Sequence, residues 1–212
     1  MEYIIIAAVI FVAALIKGMS GFGFSLISLP ILAFFIPTKT LIPVLAICNL
    51  LMSIVIVLQT STYRIDKRFM PMLALGIVGT IIGTMFLNYF TGDTLELLVV
   101  IALILVSLSF LWGFRFNVRS FKRGSAIAGI TSGFLAGSFS LSGPPLTLFL
   151  TSLGVKNQEF REIFSWFNIV TSAIAIIGYY SIGIVDIKTY KITLFLTPIL
   201  FVGAYLGKRF NQ

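Results

Sequence analysis

The chain has 212 residues, 58% hydrophobic and 10% charged, with mean hydropathy +1.08 and net charge +8. A soluble domain carries about 25% charged residues, and a chain of this size could not hide so much apolar surface from water, so a soluble fold is excluded. One cysteine and no histidine exclude a disulfide framework and argue against a Cys/His metal centre.

The basic residues stand in short segments between apolar runs. That pattern sets orientation in a membrane and gives no reason to expect a nucleic-acid partner. The sequence implies no cofactor.

Residues 3–36 form the first apolar stretch. It has no basic leader region or small-residue cleavage site, so it reads as a retained membrane segment. Lys17-Gly18-Met19-Ser20-Gly21-Phe22-Gly23 interrupts it. The glycines disfavour a continuous helix, and each flank of 13 or 14 residues is shorter than the roughly 20 needed to span a bilayer. Two half-helices meeting at a glycine-rich tip are predicted. Such non-helical backbone survives at membrane depth only inside protein or beside a cavity.

Spans are predicted over 41–60, 69–90 and 95–113, with the acidic turn 91–96 before the third. Residues 124–153 repeat the interrupted pattern. Gly129, Gly133 and Gly137, four apart, give a smooth face for close helix packing. Ser138-Phe139-Ser140-Leu141-Ser142-Gly143-Pro144-Pro145-Leu146 then breaks the helix. Further spans are predicted over 162–183 and 192–207.

The chain reads as a duplication. Phe24-Ser25-Leu26 with Pro30 resembles Phe139-Ser140-Leu141 with Pro145, at an offset of 115. Asn49…Ser53 resembles Asn168…Ser172, Asp66 matches Asp186, and Gly79/Gly83 match Gly203/Gly207. The expected division is a first repeat over 1–113 and a second over 114–212. The second lacks a counterpart of the 95–113 span, through loss of the helix or truncation of the chain.

Loops 61–68 and 114–123 hold seven Lys/Arg and are expected on the cytoplasmic side, with 91–96 outside. If both interrupted segments enter and leave on one side, the basic residues divide eleven inside to three outside; if the second crosses, nine to five. The first count fits the positive-inside rule better. Three crossings then separate the hairpins, so the repeats are inverted, a usual design for secondary transporters. The expected fold is an all-α polytopic membrane protein of two inverted repeats, each opening with a broken, re-entrant hairpin.

The paired motifs Lys17-Gly18-Met19-Ser20-Gly21-Phe22-Gly23 and Ser142-Gly143-Pro144-Pro145-Leu146 resemble those of the TauE/SafE sulfite exporter family, also called TSUP or DUF81. The resemblance covers essentially the whole chain, short of a final helix. It implies export across the cytoplasmic membrane of a small anion such as sulfite or a sulfonate, and anion transport more firmly than any one substrate.

An anion in a membrane needs clustered hydrogen-bond donors, which half-helix N-termini supply. Candidate substrate-binding residues are Lys17, Gly18, Ser20, Gly21, Gly23 and Ser25 at the first tip, and Ser138, Ser140, Ser142, Gly143 and Pro144 at the second. Asn49 and Asn168, matched in mid-span, join them. The plainer reading is that the glycines pack helices, the serines bond back to carbonyls and the asparagines bridge helices. Lys17, a charge deep in an apolar stretch, either faces the anion or snorkels to water. Arg161 and Glu162 read as a surface pair, with a gating pair as the alternative.

No catalytic constellation supports an enzyme. A channel is the nearer alternative, since re-entrant hairpins also build filters. Expected partners are a small inorganic or organosulfur anion and the lipid bilayer; a homodimer is left open.

Overall fold

The computed structural model describes residues 2–59, 66–90, 93–111 and 120–209. The parts of the basic loops at 60–65 and 112–119, and of the acidic turn at 91–92, lie outside the described residues. Among the described residues there are nine α-helices and no strand: α1 (Glu2–Ser20), α2 (Phe24–Leu32), α3 (Thr38–Gln59), α4 (Met70–Tyr89, entered through a 3-10 turn, Lys67–Phe69), α5 (Asp93–Leu111), α6 (Phe121–Phe139), α7 (Gly143–Ser152), α8 (Asn157–Ser181) and α9 (Ile187–Arg209). Five are long and apolar enough to cross a membrane: α1, α3, α4 with its leading turn, α8 and α9. The all-helical, polytopic fold expected from the sequence is what the chain adopts.

Both interruptions are present. The helices after them, α2 and α7, have 9 and 10 residues, about 13–15 Å, half of what a crossing takes. The helices before them are longer than the flank lengths suggested. Helix α1 runs through Lys17-Gly18-Met19-Ser20 and stops only at Gly21. Packing overrides the weak helix propensity of Gly18, because a Cβ there would lie 3.0 Å from the Ala204 carbonyl oxygen of α9.

The first break holds two left-handed glycines, Gly21 (φ 87°) and Gly23 (φ 94°), and the second one left-handed residue, Ser140 (φ 57°). Pro144 and Pro145 sit in the first turn of α7, where a missing N–H costs nothing, so they start a helix as well as ending the break.

Helices α3 and α8 pack against each other at the centre; α9 also packs on α3, and α4 on α8. Helix α4 lies on α6 and α1 on α9 through glycines. A Cβ on Gly133 would stand 2.1 Å from the Gly76 oxygen, and one on Gly129 2.4 Å from that of Met72, so backbone touches backbone. The packing role expected of Gly129 and Gly133 is what they perform.

The two crossings correspond residue by residue. Gly79 abuts Ile130 O and Phe134 N, while Gly203 abuts Phe11 O and Leu15 N. The first helix of each pair is offset by 119 (11 to 130, 15 to 134) and the second by 124 (79 to 203). Offset 119 also joins Asn49 to Asn168, and Gly21 to Ser140. The 115-residue match proposed for the tips is therefore out of register. Phe24 opens α2 after its break, whereas Phe139 closes α6 before its own.

Asp66 and Asp186 do share a role. Each Oδ1 accepts a backbone N–H at the start of the next element, Arg68 N at 2.9 Å and Thr189 N at 2.8 Å.

Candidate functional site

The two breaks face one another across a small polar cavity. Its walls are Lys17, Phe22, Gly23, Phe24, Ser25 and Leu26 from the first tip, Ser140, Leu141, Ser142 and Gly143 from the second, Asn49 of α3, and Phe164 and Asn168 of α8. The volume is about 10 Å³, room for about one water molecule.

Lys17 closes one side of it. Its side chain is 1% exposed, which rules out snorkelling. Nζ donates to Asn49 Oδ1 (2.7 Å), Ser53 Oγ (3.0 Å) and the Asn49 carbonyl (3.2 Å). A buried ammonium is tolerable because its three protons are matched by three oxygens.

Asn49 passes the network on, its Nδ2 donating to Ser25 Oγ (2.6 Å) and to the Ser140 carbonyl (3.4 Å). That second bond ties the two tips together across the cavity. Ser140 Oγ in turn donates to the Ile42 carbonyl (2.8 Å). On the other side Ser142 Oγ donates to Asn168 Oδ1, leaving the Asn168 amino group without a partner among the described residues.

The short helices point their N-termini at this space. The amides of Phe24, Ser25 and Leu26 open α2 and have no intrahelical acceptor. Neither tip is capped by a side chain. The donor supply is lopsided, since Pro144 and Pro145 remove two N–H groups from the first turn of α7. The lysine is lopsided too, because the residue 119 positions after Lys17 is Ala136.

Of the thirteen candidates from the sequence, eight line the cavity: Lys17, Gly23, Ser25, Asn49, Ser140, Ser142, Gly143 and Asn168. The other five stand elsewhere. Gly18 packs on α9, and a Cβ on Gly21 would lie 2.8 Å from Arg161 Cγ of α8. Ser20 Oγ donates to the carbonyls of Ile16 (2.8 Å) and Phe22 (2.9 Å). Ser138 Oγ donates to Phe134 O (2.8 Å) and Gly83 O (3.3 Å) at the α4 crossing. Pro144 faces an apolar groove beside α5.

Sequence reasoning missed Ser53, the third acceptor for Lys17. Its four-residue spacing from Asn49 puts both on one face of α3, which was the available signal. It also missed the apolar walls Phe22, Phe164 and Leu141, and the reach of Arg161. Arg161 Nη2 donates to the Gly18 carbonyl of the first tip (2.8 Å). Among the described residues no cluster of His, Cys, Asp or Glu could hold a metal ion.

Long apolar helices wrapped around two interrupted ones define a polytopic helical membrane protein with an internal polar site. The chain belongs to the sulfite exporter TauE/SafE family, whose family model matches residues 6–212. That is a family of membrane transporters. No curated protein and no solved structure matches the chain.

Proposed function

We propose that the protein is a secondary transporter that exports a small oxyanion, sulfite or a sulfonate, across the cytoplasmic membrane, and that the cavity between the breaks is its substrate site. The observation that carries this reading is the buried charge of Lys17 at a cavity that also holds donors with no acceptor among the described residues, the Asn168 amino group and the open α2 N-terminus. Positive charge and backbone N–H groups in a buried site suit an anion. Gly23 and Gly143 leave the backbone open to it.

The cavity as it stands is too small for such an anion, which favours a carrier that widens on loading over an open pore. Two inverted repeats, 1–113 and 114–212, give a carrier the two related faces it alternates between. The paired offsets of the glycine crossings support the repeat. The ion pair between Arg68 and Glu159 supports the inversion. It joins the starts of α4 and α8, and an α4 and α5 that both cross would require α6 and α7 to enter and return on that side.

The test is initial-rate flux in liposomes with sulfite, sulfate, thiosulfate, sulfoacetate and chloride. Saturable flux of a sulfur oxyanion, lost when Lys17 and Asn168 are both replaced by leucine, is the expected result. Flux that rises linearly with concentration, or that is fastest for chloride, would favour a pore.

A further inference from the structure

Arg161 holds the first tip from the side of α8. Its Nη2 donates to the Gly18 carbonyl at 2.8 Å, and its Cγ is the nearest atom to the Cβ position of Gly21. Its Nε is buried and has no hydrogen-bond partner among the described residues. Buried donors are normally paired, so an idle N–H on a cation needs an explanation.

The geometry of the guanidinium supplies one. Nε–H and one Nη2–H lie parallel on the same edge, the fork that takes two oxygens of a carboxylate, phosphate or sulfonate. Here one prong is filled by a carbonyl and the other is idle. The residue as a whole is half-buried, while the Nε prong lies inside the protein.

Beside it stands an aromatic barrier. Phe22 of the tip lies 5.9 Å from Phe160 and 6.0 Å from Phe164, and the latter two stack at 5.6 Å. Phe22 and Phe164 are also cavity walls, and Phe160 is the chain neighbour of Arg161, so the cluster runs from the cavity wall to the foot of Arg161. At the second tip the residue 119 positions before Arg161 is Ile42. It offers only its carbonyl, to Ser140 Oγ.

We infer that Arg161 is an entry subsite for the oxyanion, distinct from the central cavity and present on one side only. The Nε–Nη2 edge takes two oxygens of the incoming anion. The Gly18 carbonyl is displaced, the last turn of α1 is released, and Phe22 withdraws from Phe160 and Phe164. The anion thereby unlocks the tip that bars its own way. With no cation at the matching place on the second tip, capture is directional. This rests on the transport reading and assigns to it a point of loading.

The test compares Arg161→Lys and Arg161→Gln with wild type. Lysine keeps the charge and the Cγ that packs on Gly21 but has no fork. Arg161→Lys is expected to raise the half-saturating sulfite concentration about tenfold, with maximal rate within twofold, and to shrink the preference for sulfite over chloride. Arg161→Gln should raise it further. An unchanged half-saturation in both variants overturns the subsite, as does a fall in maximal rate alone, which would make Arg161 a strut.

If wild type carries none of the anions, the transport reading fails and calorimetry with sulfite on the purified protein decides the subsite. Tighter binding by wild type than by Arg161→Lys supports it. Equal binding, or none, overturns it.

Discussion

Lys17 Nζ sits 2.7 Å from Asn49 Oδ1, and this contact decides which end of the amide turns to the cavity. An ammonium can only donate, so the carbonyl end faces Lys17 and the amino end is left for Ser25 and the Ser140 carbonyl. In the proposed site the lysine therefore acts on the anion through its charge and through the donor it orients. Lys17→Met keeps the stem and removes both effects. The expected loss is about 1.5–3 kcal/mol of binding, tenfold or more in half-saturating sulfite, read from flux saturation. An unchanged value would place the anion away from Lys17.

Gly143 and Gly21 separate site from scaffold. A Cβ on Gly143 meets nothing nearer than Leu26 Cδ1 at 3.7 Å, so Gly143→Ala should melt as wild type does. Its methyl enters a cavity of about 10 Å³, so flux should fall sharply, and Gly143→Leu should abolish it in a folded protein. Gly21 has φ 87° and lies against Arg161. Gly21→Leu should act through stability, at about 1–2 kcal/mol for the left-handed backbone alone, before the contact is counted. Thermal melts beside flux for each variant check the division, and it fails if Gly143→Ala lowers the melting point as much as Gly21→Leu.

The glycine crossings carry a graded prediction. A methyl on Gly133 would stand 2.1 Å from a backbone oxygen, whereas one on Gly203 first meets the Ala14 Cβ at 2.8 Å. Overpacking of this kind costs about 1–3 kcal/mol. Gly133→Ala should lie at or beyond the top of that range and Gly203→Ala below it. Melting of the two variants in one detergent gives the order, and the reverse order would contradict the packing.

Much of this was legible in the sequence, and the reasons differ by feature. Both breaks could be read because glycine and proline act locally on the backbone. The Asn49/Asn168 pair could be read because each sits alone in an apolar span. The length of α1 could not, since Gly18 stays helical through its packing on α9 rather than through local propensity. Nor could Arg161, whose partner Gly18 is 143 residues away. The register of the tips was misjudged because Phe-Ser-Leu recurs by composition, while the 119-residue offset of the glycine crossings pairs Gly21 with Ser140.

Asp186 gives a pH dependence outside the spans. Its carboxylate accepts the backbone N–H and the hydroxyl of Thr189, both at 2.8 Å. These bonds, the backbone one first, hold its pKa below the ordinary value of 3.8. With the folded pKa depressed, the cap stabilises the protein above the unfolded pKa, and that stability is lost as pH falls through the folded one. Asp186→Ala should cost about 1 kcal/mol at neutral pH and converge with wild type in acid. Melting against pH checks this, and a constant gap down to pH 2 would mean the carboxylate charge is not what caps α9.

The α1/α9 and α4/α6 crossings also determine what can swing. Each joins the opening helix of one half of the chain to a late helix of the other, so the halves are stapled crosswise and cannot rock apart as separate blocks. Sliding α6 by one residue would bring Phe134 or Ser132 to the place where only Gly133 clears the Gly76 carbonyl. Each staple is thus a rigid strut made of both halves. Bending is left to the strands of chain at Gly21–Gly23 and Ser140–Ser142 and to the α3/α8 seam between the struts, where a few degrees of tilt would move both cavity walls at once.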